Sequence, residues 1–363
     1  MTNQENPKRN SRSWIVIFAL LSGSAAALLY SARRIEGFAE WYSSSIYPLI
    51  EGTTGRLSGI LPFSLAELLV LLLPVIIIAD AFRSRKRIGL FLQRMLLLLA
   101  VLAFLYSANC GVNYYRDPFV APEVYSETSF TAEQLEEFCK YAAYHLRQNS
   151  EAPAGDGFDY PDRTDLASSA VSAMKKLGGS YGSLSGYYPR AKTLSVLSRL
   201  FSNMGVSGVY SPFTVEANIN GEMPGMEKPF TSCHELSHLK GYMNEGEANY
   251  IGWLACIGSD DPAFVRSGWL IAWNYAGVDL YRADPKRYEA AVSFLPEDAL
   301  RELAENHDFW ENHKTKASDV QDRVNDAYLK SNGLEDGIHS YGNLTTLMMA
   351  WYLSEQNELS ILD

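Results

Sequence analysis

His234, Glu235 and His238 form an H-E-x-x-H pattern within Cys233-His234-Glu235-Leu236-Ser237-His238-Leu239-Lys240-Gly241. On a helix, positions i and i+4 share one face, so the two imidazoles can offer nitrogens to one metal ion. Glu235 is offset by one residue and can reach a water beside that ion rather than the ion itself. Zinc suits such donors, lowers the pKa of its water toward neutrality, and leaves a neighbouring carboxylate to take the proton. The chain holds only six histidines in 363 residues. A chance match to the pattern is therefore on the order of one in a hundred or rarer. The competing reading is a helix with two structural histidines.

A catalytic zinc site also needs a third protein ligand and an open fourth position. Asn244-Glu245-Gly246-Glu247-Ala248-Asn249-Tyr250 follows at once. Gly241 can end the first helix in the left-handed conformation, and Asn244 is a good N-cap for a second. A carboxylate at the start of that second helix can turn back toward the imidazoles. Glu245 and Glu247 are both available.

With these residues the chain resembles the gluzincins, zinc peptidases with two His ligands and one Glu ligand. The resemblance implies Glu245, which opens E-G-x-A, as the third ligand. Glu245 lies only seven residues after His238, a shorter interval than is usual in such families, so Glu247 stays open. Asn249 falls where related families place an Asp or Asn that holds a ligand histidine. Gly208–Asn218, Pro229–His234 and Asn113-Tyr114-Tyr115-Arg116 resemble an uncharacterised family of bacterial membrane-anchored zinc-peptidase-like proteins. That resemblance implies an α+β, mostly helical fold, with a zincin-like metallopeptidase domain preceded by three transmembrane helices. Gluzincins also use a His or Tyr from a later helix to stabilise the oxyanion that forms as water attacks a carbonyl. His339 and Tyr341 are the candidates, with Tyr341 favoured because similar sequences carry Tyr-Gly before an apolar helix.

The elements that must position these groups divide the chain in two. Residues 1–110 carry a net charge of +5 and residues 111–363 a net charge of −16. The first part reads as a membrane anchor, the second as an acidic domain large enough to bury its own core. Such a domain is a poor nucleic-acid binder, because phosphate contacts need clustered Lys and Arg. Three apolar stretches, Trp14–Tyr30, Phe63–Phe82 and Ile88–Cys110, have the length of membrane spans. Ala25-Ala26-Ala27 would suit a signal-peptide cleavage site, but the apolar run continues through Leu28 and Leu29. Glu67 is expensive inside a span and is expected near its end. Lys8, Arg9, Arg12 and the Arg83–Arg87 loop outweigh Arg33, Arg34, Arg56 and Arg116, which places 111–363 outside a bacterial cytoplasmic membrane.

Within the second part, periodicity predicts helices over Thr131–Gln148, Asp165–Leu177 and Ala191–Met204, and a half-buried strand over Phe213–Ile219. Such a strand either lines the cleft and pairs with an extended substrate or is an ordinary surface hairpin. Asp261-Pro262 is an N-cap pair for a later helix. Trp253, Trp269, Trp273 and Tyr275 read as core. Cys110, Cys139, Cys233 and Cys256 have no metal spacing, and Cys233 reads as a small buried residue. His145, His307 and His313 read as surface residues. The expectation is a zinc metallopeptidase that cuts an extracytoplasmic protein or peptide. Two alternatives are a zinc-stabilised envelope scaffold without turnover and an amidase acting on envelope peptides.

Overall fold

A computed structural model describes residues 7–149, 158, 160–332 and 343–361. The fold is mostly helical, at 75% helix, with one small sheet. Ser13–Arg34, Leu65–Arg83 and Ile88–Tyr115 are helices long and apolar enough to cross a membrane. The first and third extend the stretches read from the sequence by a few residues, and the second is shifted toward the C-terminus by one or two. The first packs along the third. Leu20, Val70, Ile76 and Leu99 on their outer faces stand exposed, as lipid-facing side chains do.

Between the first two spans lies a chain of short helical turns over 38–59, alternating α and π geometry. One face buries Tyr42, Tyr47 and Glu51, and the other exposes Trp41, Leu49 and Leu57. That two-sided pattern is typical of a segment lying in a membrane interface. Its buried face grips the domain beyond. The Tyr47 hydroxyl donates to the Leu239 carbonyl at 3.0 Å and lies 2.8 Å from the Tyr210 hydroxyl. The Lys240 ammonium reaches both Glu51 oxygens at 2.8 and 3.0 Å, with both side chains buried. Burial pushes the Glu51 carboxyl up, and the Lys240 charge opposes it.

Two carboxylates fix the second span. Glu67 sits in its first turn, at the end of the apolar run, and is buried. It accepts backbone N–H groups from Ser195, Val196 and Leu197 at 3.0, 2.7 and 2.8 Å. In return, Glu216 accepts the N–H groups of Leu65 and Ala66 at 3.2 and 2.8 Å. Unpaired amides at a helix start and a loop are natural anion partners.

The sheet has the order β1-β3-β2, with β1 Lys192–Thr193, β2 Gly208–Ser211 and β3 Glu216–Ile219. β3 runs parallel to β1 and antiparallel to β2. Two expectations change here. The helix over Ala191–Met204 forms only over Ser198–Asn203, because 192–193 pair with β3 and the amides of 195–197 are held by Glu67. The strand over Phe213–Ile219 shortens to β3, which is central and wholly buried; β1 and β2 are the two edges, and β2 is the one that lines the cleft.

The helices Ala132–Gln148 and Pro262–Ala283 start where expected. Thr131 and Gln134 form a capping box, and Asp261 accepts the Ala263 N–H at 3.0 Å. The helix Pro262–Ala283 packs against both Ala132–Gln148 and Glu245–Ile257. Trp253, Trp269 and Trp273 are buried in that core, and all four cysteines are free and buried. Tyr275 is half-buried: it packs against that core and also lines a cleft. His145 is half-buried too, stacked on Trp269 at 4.3 Å.

Replacing Glu51 by Leu leaves the Lys240 ammonium buried without its counter-charge and should cost about 3–5 kcal/mol. The double variant Glu51→Leu/Lys240→Met should recover most of that loss. Thermal unfolding in detergent micelles checks the order; a single variant as stable as the wild type contradicts the buried pair.

Candidate metal centre

The H-E-x-x-H residues lie on the helix Lys228–Leu239, which is buried along nearly its whole length. Pro229 occupies its first turn, where a missing N–H costs nothing. Gly241 ends the element with φ +88°, the left-handed turn expected of it. Asn244 then caps the helix Glu245–Ile257, its side chain accepting the Glu247 N–H at 3.2 Å. The two helices cross closely at Gly252. A Cβ there would lie 3.0 Å from the His234 backbone nitrogen, so a larger residue would drive the helices apart.

This crossing brings His234, His238 and Glu245 together, with one ligand atom from each within 4.8 Å of the others. Glu245 Oε2 lies 3.3 Å from His234 Nε2 and 3.3 Å from His238 Nε2. Tetrahedral zinc with bonds of about 2.0 Å has ligand–ligand edges of about 3.3 Å, so these donors fit that ion. The Nδ1 of His238 lies 2.8 Å from the Tyr242 carbonyl. A carbonyl only accepts, so Nδ1 carries a proton, and Nε2 is the nitrogen that can offer a lone pair to a metal once the proton it shares with Glu245 leaves. Asn249 is a polar neighbour of His234, at the position the resemblance marks for the residue that holds a ligand histidine.

Electrostatics follow from burial. Burial alone would raise the Glu245 carboxyl, but His238 and His234 outweigh it and hold it well below the usual range. Burial lowers His234. Burial also acts to lower His238, yet the Glu245 charge lifts it to about 9. Glu235 is raised by burial to about 8, and its Oε2 has no hydrogen-bond partner among the described residues. A dication beside it would favour the carboxylate form.

Glu235 owes its place to a second glycine. A Cβ on Gly208 of β2 would come within 2.4 Å of Glu235 Oε1. The backbone of β2 therefore packs directly on the carboxylate. Glu247 points elsewhere: its Oε1 accepts the Phe119 and Val120 N–H groups at 2.6 and 3.3 Å. His339 and Tyr341 lie outside the described residues. The cleft over the metal ligands has a volume of about 720 Å³. Residues of β2, Asn274 and Tyr275, and Tyr328 of the helix Lys316–Ser331 line it.

Sequence reasoning missed the supports of the turn after His238. Arg116 Nη1 donates to the Lys240 carbonyl at 2.9 Å, and its guanidinium lies 3.9 Å over the Tyr242 ring. With Tyr47 on Leu239, these contacts satisfy carbonyls that a helix end leaves orphaned. Gly208 and Gly252 carry no local signal, since each matters through a contact distant in sequence.

Fold and site define a chain with three helices able to cross a membrane, joined to a helical domain that gathers two imidazoles and a carboxylate in one cleft. Residues 42–349 match the family described as "Protein of unknown function (DUF3810)", and the chain belongs to that family. No curated protein and no solved structure matches it.

Two substitutions separate the carboxylates. Glu245→Ala should abolish most metal binding, measured by metal analysis of the purified protein. Glu247→Ala should keep the metal but lower stability by about 1–3 kcal/mol, because it orphans two part-buried amides. The reverse pattern would make Glu247 the ligand. At pH 7 metal uptake should release between one and two protons per ion, from His238 and from Glu235, both of which hold a proton there without the metal; uptake with no proton release contradicts the His238–Glu245 charge pairing.

Proposed function

We propose that the chain is a membrane-anchored zinc metallopeptidase that cuts an extracytoplasmic protein or peptide. One observation carries the reading: the His234, His238 and Glu245 donors converge on one point in a cleft, with the Glu235 carboxylate directly beside them. Zinc binding alone requires no such carboxylate. Its presence favours turnover over the scaffold reading.

Bound zinc would supply a Lewis acid and an acidified water. His234, His238 and Glu245 would hold it, leaving one position open to the cleft. Glu235 takes the proton of the attacking water and delivers it to the departing amine. The free edge of β2 offers backbone groups to an extended peptide, which would pair as an added strand and present its carbonyl to the site. Tyr341 is proposed as the hydroxyl that stabilises the oxyanion, with His339 as the other candidate from that segment. The excess of Lys and Arg at the N-terminus and in the 83–87 loop supports an outward-facing domain on a bacterial cytoplasmic membrane.

The experiment is hydrolysis of a peptide library by the purified full-length protein with zinc. Glu235→Gln should keep zinc content and lose at least about a hundredfold in rate. Gly208→Ala, which crowds the same carboxylate, should lower the rate at least about tenfold with zinc retained. Activity that survives both changes belongs to another site.

Tyr341→Phe removes only a hydroxyl. It should slow turnover by roughly ten- to a thousandfold without changing zinc content. If His339→Ala shows this loss and Tyr341→Phe does not, the roles are exchanged.

A further inference from the structure

The metal centre lies beside the end of a membrane span. Cys110 and Tyr114 belong to the apolar helix Ile88–Tyr115, and both line the cleft. Cys110 Sγ touches Met243 Sδ at 3.6 Å, and Met243 precedes the ligand Glu245 by two residues. A helix crosses the hydrocarbon core in about 20 residues, so a crossing that starts at Ile88 ends near Ser107. Cys110 and Tyr114 then stand only about 5 and 10 Å beyond that boundary, at 1.5 Å per residue.

β2 connects the two places. At one end, Gly208 lies on the Glu235 carboxylate. At the other end, just past Ser211, the Pro212 carbonyl accepts the Asn109 side-chain amide at 2.6 Å. Asn109 is in the same span-end turn as Cys110, and Tyr210 also donates to its carbonyl at 3.0 Å. The strand therefore runs from the metal centre to the membrane boundary. Next to that end, Phe213 is 41% exposed. Leu57, Ile60 and Phe63 also expose large apolar side chains, just before the second span. Four strand residues cover about 13 Å.

We propose that the site acts on polypeptide segments emerging from the bilayer, cut within about four to eight residues of the membrane surface. The inference rests on the peptidase reading and names its substrate class. A chain rising from the membrane beside Asn109 would meet the free edge of β2 at once and reach the ligands after one short strand. A segment far from the bilayer must bend back to enter the same register.

The test uses the full-length protein in phospholipid vesicles with zinc. The probes are one decapeptide library joined directly to a diacyl lipid, the same library joined through a 40-residue Gly/Ser spacer, and the library free in solution. Such a spacer lifts the peptide by roughly 35 Å while leaving it surface-tethered, so the two anchored forms share the gain in local concentration. The directly anchored library should be cut at least tenfold faster than the spaced one, with Glu235→Gln inactive on all three. Equal or faster cutting of the spaced or free library overturns the inference and leaves the peptidase reading standing. If wild type and Glu235→Gln are both inactive on every form, the peptidase reading fails and this inference falls with it.

Discussion

The structure depends on holding one carboxylate 3.3 Å from two imidazoles on the largely buried floor of a cleft. Buried charge is costly unless it is paired and hydrogen-bonded. The neighbouring elements meet that demand in turn. Gly241 reverses the chain, Asn244 starts the second helix with Glu245 facing back, and Gly252 lets the helices approach. The Tyr242 carbonyl fixes the tautomer of His238. A cation between the three groups would replace the proton shared by His238 and Glu245, without needing the helices to move.

The turn that carries this arrangement is held from the membrane side. Tyr47 bonds the Leu239 carbonyl, Glu51 neutralises Lys240, and Arg116 bonds the Lys240 carbonyl and covers Tyr242. Two of these residues come from the short helical turns between the first two apolar helices, and the third follows directly on the last of them. The membrane part therefore does more than tether the domain: it buttresses the end of the helix that bears His238. The family match, which begins at residue 42, takes in Tyr47, Glu51 and Arg116 together with the metal motif.

What could be read from the sequence was local. The i, i+4 spacing of His234 and His238, the left-handed glycine at 241 and the caps at Asn244, Thr131 and Asp261 all act within a few residues, and so leave a trace in the pattern. The three apolar helices are legible because lipid imposes a length. The misreading of Ala191–Met204 has the opposite cause. Its periodicity suits a helix, but pairing with β3 and the carboxylate of Glu67, over 120 residues away, override it. Aromatic spacing on a helix cannot show that Tyr275 lines the cleft as well as packing against the core. Gly208 and Gly252 looked like any other glycine until their contacts with Glu235 and His234 were known.

Zinc K-edge X-ray absorption of the full-length protein, purified from membranes, reads the His234–His238–Glu245 site itself. The expected result is one zinc per chain, with only nitrogen and oxygen bound to it at about 2.0–2.1 Å and a two-imidazole signature. No bound metal, or a sulfur ligand at about 2.3 Å from the nearby Cys110 or Cys233, would contradict it.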